Sequence, residues 1–293
     1  FTPDPARGVA AVSAEPALDG FVVDATVPLS DAPCHDWRAA LKANLGDPAR
    51  VQFAGSFPAA CGERVWPLAH ADGRLYAERL VATLWREVGG RLGGSVREGS
   101  APPGVAPTFE LSSPPLADVV RDINKFSNNV MAQQLFLTLA LRRSAGAQVS
   151  VDDAREALRR WLADRLGESL DGVVIDNGSG LSRETRVSAA LLARLLQRAW
   201  GSAVMPELMA SLPVAGLDGT LRRARNATGR AHLKTGSLRD VAGVAGYVLG
   251  ASGRRYVLVA VINHPSANAA RPALDALVQW TMDDLPRRAR RAP

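Results

Sequence analysis

Apolar positions along the chain fall into three regimes. From residue 1 to about 70 they come in short runs. Phe21–Val27 is β-prone, and Val51–Gly55 alternates as a strand does. Trp37–Leu41, between them, is suited to a short helix or turn. From about Arg74 to Val88, Tyr76, Leu80, Leu84 and Val88 share one helical stripe that Gly89-Gly90 ends. Residues 99–109 are rich in Pro and Gly and read as a loop at a domain border.

The remainder is helix-rich. Ser113 is an expected N-cap with Pro114 at the first helical position. Leu116, Val119, Val120 and Ile123 follow at helical spacing, Asn124–Asn129 interrupts, and Val130–Leu141 resumes. A helix from Ser150 should turn Ala154, Leu158, Trp161 and Leu162 inward, and another should run from Ser188 to Trp200. Two apolar runs, Val241–Leu249 and Tyr256–Asn263, are joined by Ala251-Ser252-Gly253 as a hairpin, and a helix over Ala269–Met282 follows. Helices followed by an antiparallel hairpin and a helix predict an α+β fold. The expected division is a β-rich piece over 1–70, a connecting helix, strand and loop over 71–110, a main domain over 111–285 and a tail over 286–293.

Length and composition narrow the class. At 293 residues the chain holds about two domains. With 47% hydrophobic and 22% charged residues it is neither disordered nor fibrous. No apolar run is long enough to span a membrane. Phe1-Thr2-Pro3-Asp4-Pro5 has neither an initiator Met nor a signal peptide and reads as a cut within a larger chain. The net charge of +6 comes from arginines spread along helices, which reads as a solvated face, and no nucleic-acid partner is expected. The cluster Arg287-Arg288-Ala289-Arg290-Arg291 is different: a solvated tail, or a weak attachment to an anionic membrane. Cys34 and Cys61 lack metal-site spacing; they are expected to form a disulfide, with two buried thiols as the alternative. The histidines are scattered, so neither metal nor cofactor is expected.

Of 35 basic residues only Lys42, Lys125 and Lys234 are lysines, and Lys, unlike Arg, can change protonation when desolvated. Lys234 heads Lys234-Thr235-Gly236-Ser237 beside apolar strands. An ammonium, a hydroxyl and a bare backbone on an edge strand suit a carboxylate ligand. Ser127-Asn128-Asn129 sets a hydroxyl and an amide at a break between helices, or simply terminates a helix. Ile175–Arg183 runs from a short apolar strand into a Gly-rich turn without a phosphate-binding pattern. His232 shares a strand face with Lys234, where packing is the more common role.

Ser-x-Asn followed by Lys-Thr-Gly belongs to the penicillin-binding and serine β-lactamase motif set. With the stretches Ile123–Ala132, Val174–Arg183, Ser211–Thr220 and His232–Tyr247, the chain resembles the D-alanyl-D-alanine carboxypeptidase/endopeptidase family, the class C low-molecular-mass penicillin-binding proteins. The resemblance covers most of residues 60–283. It implies the penicillin-recognising fold: an antiparallel sheet flanked by helices with a helical lobe, and residues 1–70 as the end of inserted β-rich domains. It implies acyl transfer on peptidoglycan stem peptides, inhibition by β-lactams, and a periplasmic or envelope location. Ser127 would carry a proton to the leaving amine and Asn129 would hold the substrate amide. Lys234 would supply positive potential, Thr235 would bind the substrate carboxylate, Gly236 would allow close approach, and the Ser237 N–H would form half an oxyanion hole.

One part of the set is missing. The residues three before the lysines are Ala39, Asp122 and Ala231, so the chain holds no Ser-x-x-Lys. The expectation is a C-terminal part of a longer enzyme whose nucleophile lies upstream. The competing readings are a non-catalytic binder of cell-wall peptide or β-lactam, and a β-lactamase or esterase on the same fold. Ser179 and Ser182 are the alternative serine nucleophiles within the chain, and neither has a partner lysine in its motif.

Overall fold

The computed structural model describes residues 1–142, 148–167 and 170–284. The basic tail therefore lies outside the described residues. The chain forms two compact units, Phe1–Phe109 and the chain from Glu110 onward.

The first unit is built from short pieces. β1 (Thr2–Asp4), β2 (Val9–Ala11), β4 (Thr26–Ser30) and β7 (Phe57–Pro58) form one sheet in that order. β3 (Val22–Val23), β6 (Arg50–Phe53) and β5 (Ala43–Asn44) form a second. The Phe21–Val27 run is thus not one strand but parts of two, in different sheets. Asp24, within the run, turns its carboxylate to the Phe53 N–H at 3.1 Å, and the ladder breaks there. The core holds Ala10, Val27, Leu41, Phe57 and Cys61. Phe1 stacks on Phe57 at 5.5 Å and meets Trp37 edge-on at 5.8 Å. Cys34 and Cys61 are disulfide-bonded, with Cα atoms 4.8 Å apart. Asp36 caps the one-turn α1 (Trp37–Ala40).

α2 (Gly73–Glu87) starts at Asp72, whose carboxylate accepts from the Arg74 and Leu75 N–H groups. Its expected apolar stripe is only half used, since Leu84 and Val88 are exposed. Arginines hold the helix instead. Arg79 donates to Pro48 O at 2.8 Å and lies over the Phe21 ring, and Arg86 pairs with Asp19.

The second unit carries the longer elements: α3 (Leu116–Phe126), α4 (Asn129–Leu141), α5 (Val151–Leu166), α6 (Ala189–Trp200) and α7 (Met205–Ser211), then β8 (Ala231–Leu238), β9 (Val241–Leu249), β10 (Arg255–Asn263) and α8 (Arg271–Met282). α3 does not begin at Ser113-Pro114. Pro115 is its N-cap, without a side-chain bond. A residue before proline is driven out of the helical region, so Pro114 cannot open the helix. In α5, Trp161 is 42% exposed rather than inward. The helix packs Ala154 and Ala157 with α4 and Leu162 and Leu166 with α6, and this change of partner rotates the buried stripe away from Trp161.

β8, β9 and β10 form an antiparallel sheet in the order β10-β9-β8. Leu233, Val244, Val248 and Leu258 pack with Val278 and Met282 of α8 on one face. Burying each of the larger side chains contributes about 1.5–3 kcal/mol. Tyr247 turns to the other face and donates to Leu196 O of α6 at 2.7 Å. Gly246 permits the close pairing of β8 with β9, since a Cβ there would stand 2.1 Å from His232 O. The sheet thus lies between one helix and a helical lobe.

Candidate active site

Alternation along β8 sorts its residues. His232, Lys234 and Gly236 face one side, and Leu233, Thr235 and Ser237 face α8. Lys234 pairs with Ala245 of β9, and its ammonium donates to Ser127 Oγ and Thr235 O, each at 2.8 Å. Burial pushes the Lys234 amine below its ordinary value of 10.5, because desolvation penalises the charged form.

Ser127 is a one-residue joint. It is the C-cap of α3 in the left-handed conformation, φ 54° and ψ 47°. The next N–H, of Asn128, bonds back to Ile123 O at 3.0 Å. Asn128 immediately caps α4, its side chain accepting from the Met131 N–H at 3.1 Å. The left-handed backbone costs a serine roughly 1–2 kcal/mol. Asn129 is the first residue of α4, half-buried, with no hydrogen bond to Ser127 or Lys234 among the described residues.

A partly buried brace ties this joint. Lys125, two residues before Ser127, donates to Asp218 Oδ2 at 2.6 Å and to Leu212 O at 2.7 Å. Asp218 accepts the Val214 N–H at 2.7 Å through its other oxygen. Its partial burial alone would raise the carboxyl pKa, but the bonds from Lys125 and Val214 hold it below the ordinary value. Asn124 donates to Ser211 Oγ at 2.8 Å. Gly219 approaches the end of α3 so closely that a Cβ would stand 2.7 Å from Lys125 O, and its φ is +54°. These bonds tie the end of α3 to the segment leading into β8. The brace lies outside the motifs, and the signal in the sequence that singles out Lys125 is the scarcity of lysine.

The other face carries the hydroxyls. Thr235 Oγ1 lies 3.3 Å from Thr220 Oγ1, and Ser237 Oγ accepts from Arg271 of α8. At Gly236 a Cβ would meet open space, so the strand edge is free for close approach. His232 places Nδ1 3.3 Å from Met209 O and is half-buried; burial lowers its pKa. It is packed under α7 and makes no hydrogen bond to Ser127 or Lys234 among the described residues.

The Gly-rich turn is structural in its bonding. Ser179 Oγ donates to Asn177 Oδ1 at 2.9 Å and accepts the Leu181 N–H at 3.1 Å. Ser182 Oγ accepts from the Glu184 and Thr185 N–H groups at 3.0 and 3.1 Å. No group of His, Cys, Asp or Glu side chains among the described residues is arranged to hold a metal.

A lysine on the end strand of the sheet thus donates to a serine between two helices. The same fold is found among solved structures. Penicillin binding protein 4 (dacB) from Haemophilus influenzae, in a complex with a β-lactam, superposes over 92% of this chain and 66% of its own, with a TM-score of 0.68 and 20% identity. The chain belongs to the D-Ala-D-Ala carboxypeptidase 3 (S13) family, whose model matches residues 5–283. The match therefore includes most of the first 60 residues, where the resemblance was least clear. Curated relatives include the D-alanyl-D-alanine carboxypeptidase DacB of Haemophilus influenzae, 28% identical over 202 residues, which are 64% of this chain and 40% of that protein. Carboxypeptidase DacB of Mycolicibacterium smegmatis is 32% identical over 177 residues, 57% of this chain and 38% of its own. The aligned stretches thus cover about two fifths of these relatives' length.

Proposed function

We propose that the chain carries the proton-relay and substrate-holding half of a serine-type D-Ala-D-Ala carboxypeptidase/endopeptidase acting on peptidoglycan stem peptides in the periplasm or envelope. The hydrogen bond from Lys234 Nζ to Ser127 Oγ is the observation that carries this reading. A lysine donor occupies a lone pair of Ser127 and leaves the serine O–H to act as donor.

The nucleophile is a serine supplied from upstream of Phe1. Its oxygen bonds to the carbonyl carbon of the penultimate D-Ala and loses its proton to the site's base. The Ser237 N–H holds the developing oxyanion. As the C–N bond breaks, Ser127 passes a proton to the leaving amine, and the relay returns the nucleophile's proton to Ser127. Water then cleaves the acyl-enzyme and restores the serine. Asn129 holds the substrate amide and Thr235 the terminal carboxylate. β-Lactams enter as analogues of the same dipeptide.

A second reading is a binder that does not turn over. Its support is that none of Lys42, Lys125 and Lys234 has a serine three residues before it. A fluorescent penicillin separates the two. The 293-residue chain should remain unlabelled, and the protein extended upstream should be labelled covalently. Labelling of the short chain would overturn the half-site and return attention to Ser179. An extended protein that binds penicillin without a covalent adduct would favour the binder.

A further inference from the structure

Two side-chain links bracket the second half of β8. At its start, Lys234 donates to Ser127 between α3 and α4. At its end, Arg183 of the Gly-rich turn pairs with Asp240 in the β8–β9 turn. Lys234 and Leu238, the last residue of β8, lie about 13 Å apart along the extended strand. The outer edge of β8 is open over this stretch. Pro213 and Ala215 cover only its beginning, through Leu233 N–H to Pro213 O and Ala215 N–H to Ala231 O, each at 2.9 Å. Alternation turns the Thr235 and Ser237 N–H groups to the same side, and no further strand pairs there among the described residues.

Both sides of the second link are anchored. Arg155 of α5 donates to Asp176 O at 2.8 Å and to its carboxylate at 2.6 Å, and Arg159 donates to Val173 O at 2.6 Å. Gly178 packs so closely on α4 that a Cβ would stand 2.5 Å from Phe136 Cβ. On the hairpin side, Asp240 O accepts the His264 N–H at 3.0 Å. Asn268 donates to Leu238 O and Arg239 O at 3.0 and 3.1 Å. Among the described hydrogen bonds and ion pairs, only Arg183–Asp240 joins the turn to the hairpin. Its two side chains are 56% and 44% exposed. A pair that exposed is weak and screened by salt, so it can part while its anchors stay in place.

In the reading above, Thr235 holds the terminal carboxylate and the Ser237 N–H holds the scissile carbonyl. The N-terminal part of the substrate then runs past Leu238 toward Arg183 and Asp240. We propose that the Arg183–Asp240 ion pair is a gate across this end of the cleft that sorts substrates by length. Closed, it accepts peptides that stop near the penultimate D-Ala. Longer peptides, including those still carried on a polymer, pass only when it parts. The inference rests on the D-Ala-D-Ala reading and adds a length filter to it.

The test uses the upstream-extended protein and two uncharged-chain ligands, N-acetyl-D-alanyl-D-alanine and the same peptide lengthened by three glycines before the first D-Ala. Binding is read from the backbone amide shifts of Ser237 and Asp240 by NMR. At low salt the parent should bind the shorter peptide about two- to five-fold more tightly, the scale of an exposed ion pair. High salt should remove that difference, because the pair is screened. Asp240→Ala should remove it at low salt and leave the shorter peptide's affinity unchanged. Arg183→Asp combined with Asp240→Arg should restore it. A difference that survives Asp240→Ala, an equal change for both peptides, or a parent that binds both alike at low salt would overturn the gate. Penicillin acylation of the same samples reports separately. Acylation without length discrimination keeps the catalytic reading and overturns the gate; discrimination without acylation keeps the gate and loses the catalytic reading.

Discussion

The two units are stabilised by different means. The first has strands of two to five residues, and its core is an aromatic cluster beside a disulfide. The second has strands of eight and nine residues whose continuous apolar face packs on α8. Short strands bury little area per residue, so a cross-link and stacked rings must offset the ordering entropy. Long strands do not need that help and can spare positions for chemistry. The side chains proposed to carry the chemistry lie on β8 and at the joint of α3 and α4, where backbone placement is set by packing elsewhere. In this chain the sheet and its brace position the proposed site, and the disulfide serves the other unit.

The sharpest test is at the sheet. Lys234→Ala in the upstream-extended protein should slow penicillin acylation by roughly 10²–10⁴-fold, the scale of a lost relay group. Circular dichroism should be unchanged, since Lys234 is outside the apolar core. Unchanged acylation would remove Lys234 from the site. The pH profile sharpens this. The Lys234 amine lies below 10.5, so its charge disappears as pH rises and acylation should decline before pH 10.5 is reached. The stability change has the opposite sign: the unfolded lysine holds its proton to higher pH, so folding gains as pH rises through that window. A basic limb at or above 10.5 would contradict the burial argument.

The next effect belongs to the first unit. Replacing Cys34 and Cys61 by serine should cost that unit about 2–4 kcal/mol, seen as an earlier thermal transition. Acylation per folded molecule should hold. If acylation falls in step, the division of labour drawn above is wrong.

A smaller effect is expected at the brace. Lys125→Met removes a cation whose side chain is only 11% exposed and leaves Asp218, itself 44% exposed, without its partner. That exposure limits the loss to about 1–3 kcal/mol. Acylation should fall more than stability alone explains, because Ser127 would lose its anchor. Equal acylation by variant and parent at a temperature where both are folded would show that the brace does not position Ser127.

The smallest concerns the β9–β10 hairpin. Asp284 accepts from the Ser252 N–H at 2.9 Å and from Tyr256 Oη at 2.8 Å, and its carboxyl is held at about 2 against an ordinary 3.8. Its contribution should be complete above 3.8 and disappear as pH falls toward 2. An NMR titration near 3.8 would contradict it.

Much of the sheet side was legible in the sequence. The two apolar runs of β9 and β10 and the Lys-Thr-Gly strand are continuous patterns, and alternation alone places His232 and Lys234 on one face. Ser127 was legible only because motif chemistry singled it out. Lys125 and Asp218 are 93 positions apart, and their bond exists only after α3 docks against the entry to β8. Arg271 and Ser237 are joined in the same way across 34 positions. The first unit resisted for another reason: its strands are so short that one carboxylate, Asp24, decides where Phe21–Val27 divides.

The joint at Ser127 has one further consequence. Among the described residues, only Lys42 and Ser127 are non-glycine with positive φ. Glycine adopts that conformation without steric cost, so a search for greater thermal stability would select Ser127→Gly. The same replacement would delete the hydroxyl on which the proposed proton relay depends. Stability and turnover are therefore opposed at a single atom, and variants recovered for heat resistance alone should be inspected first at this position.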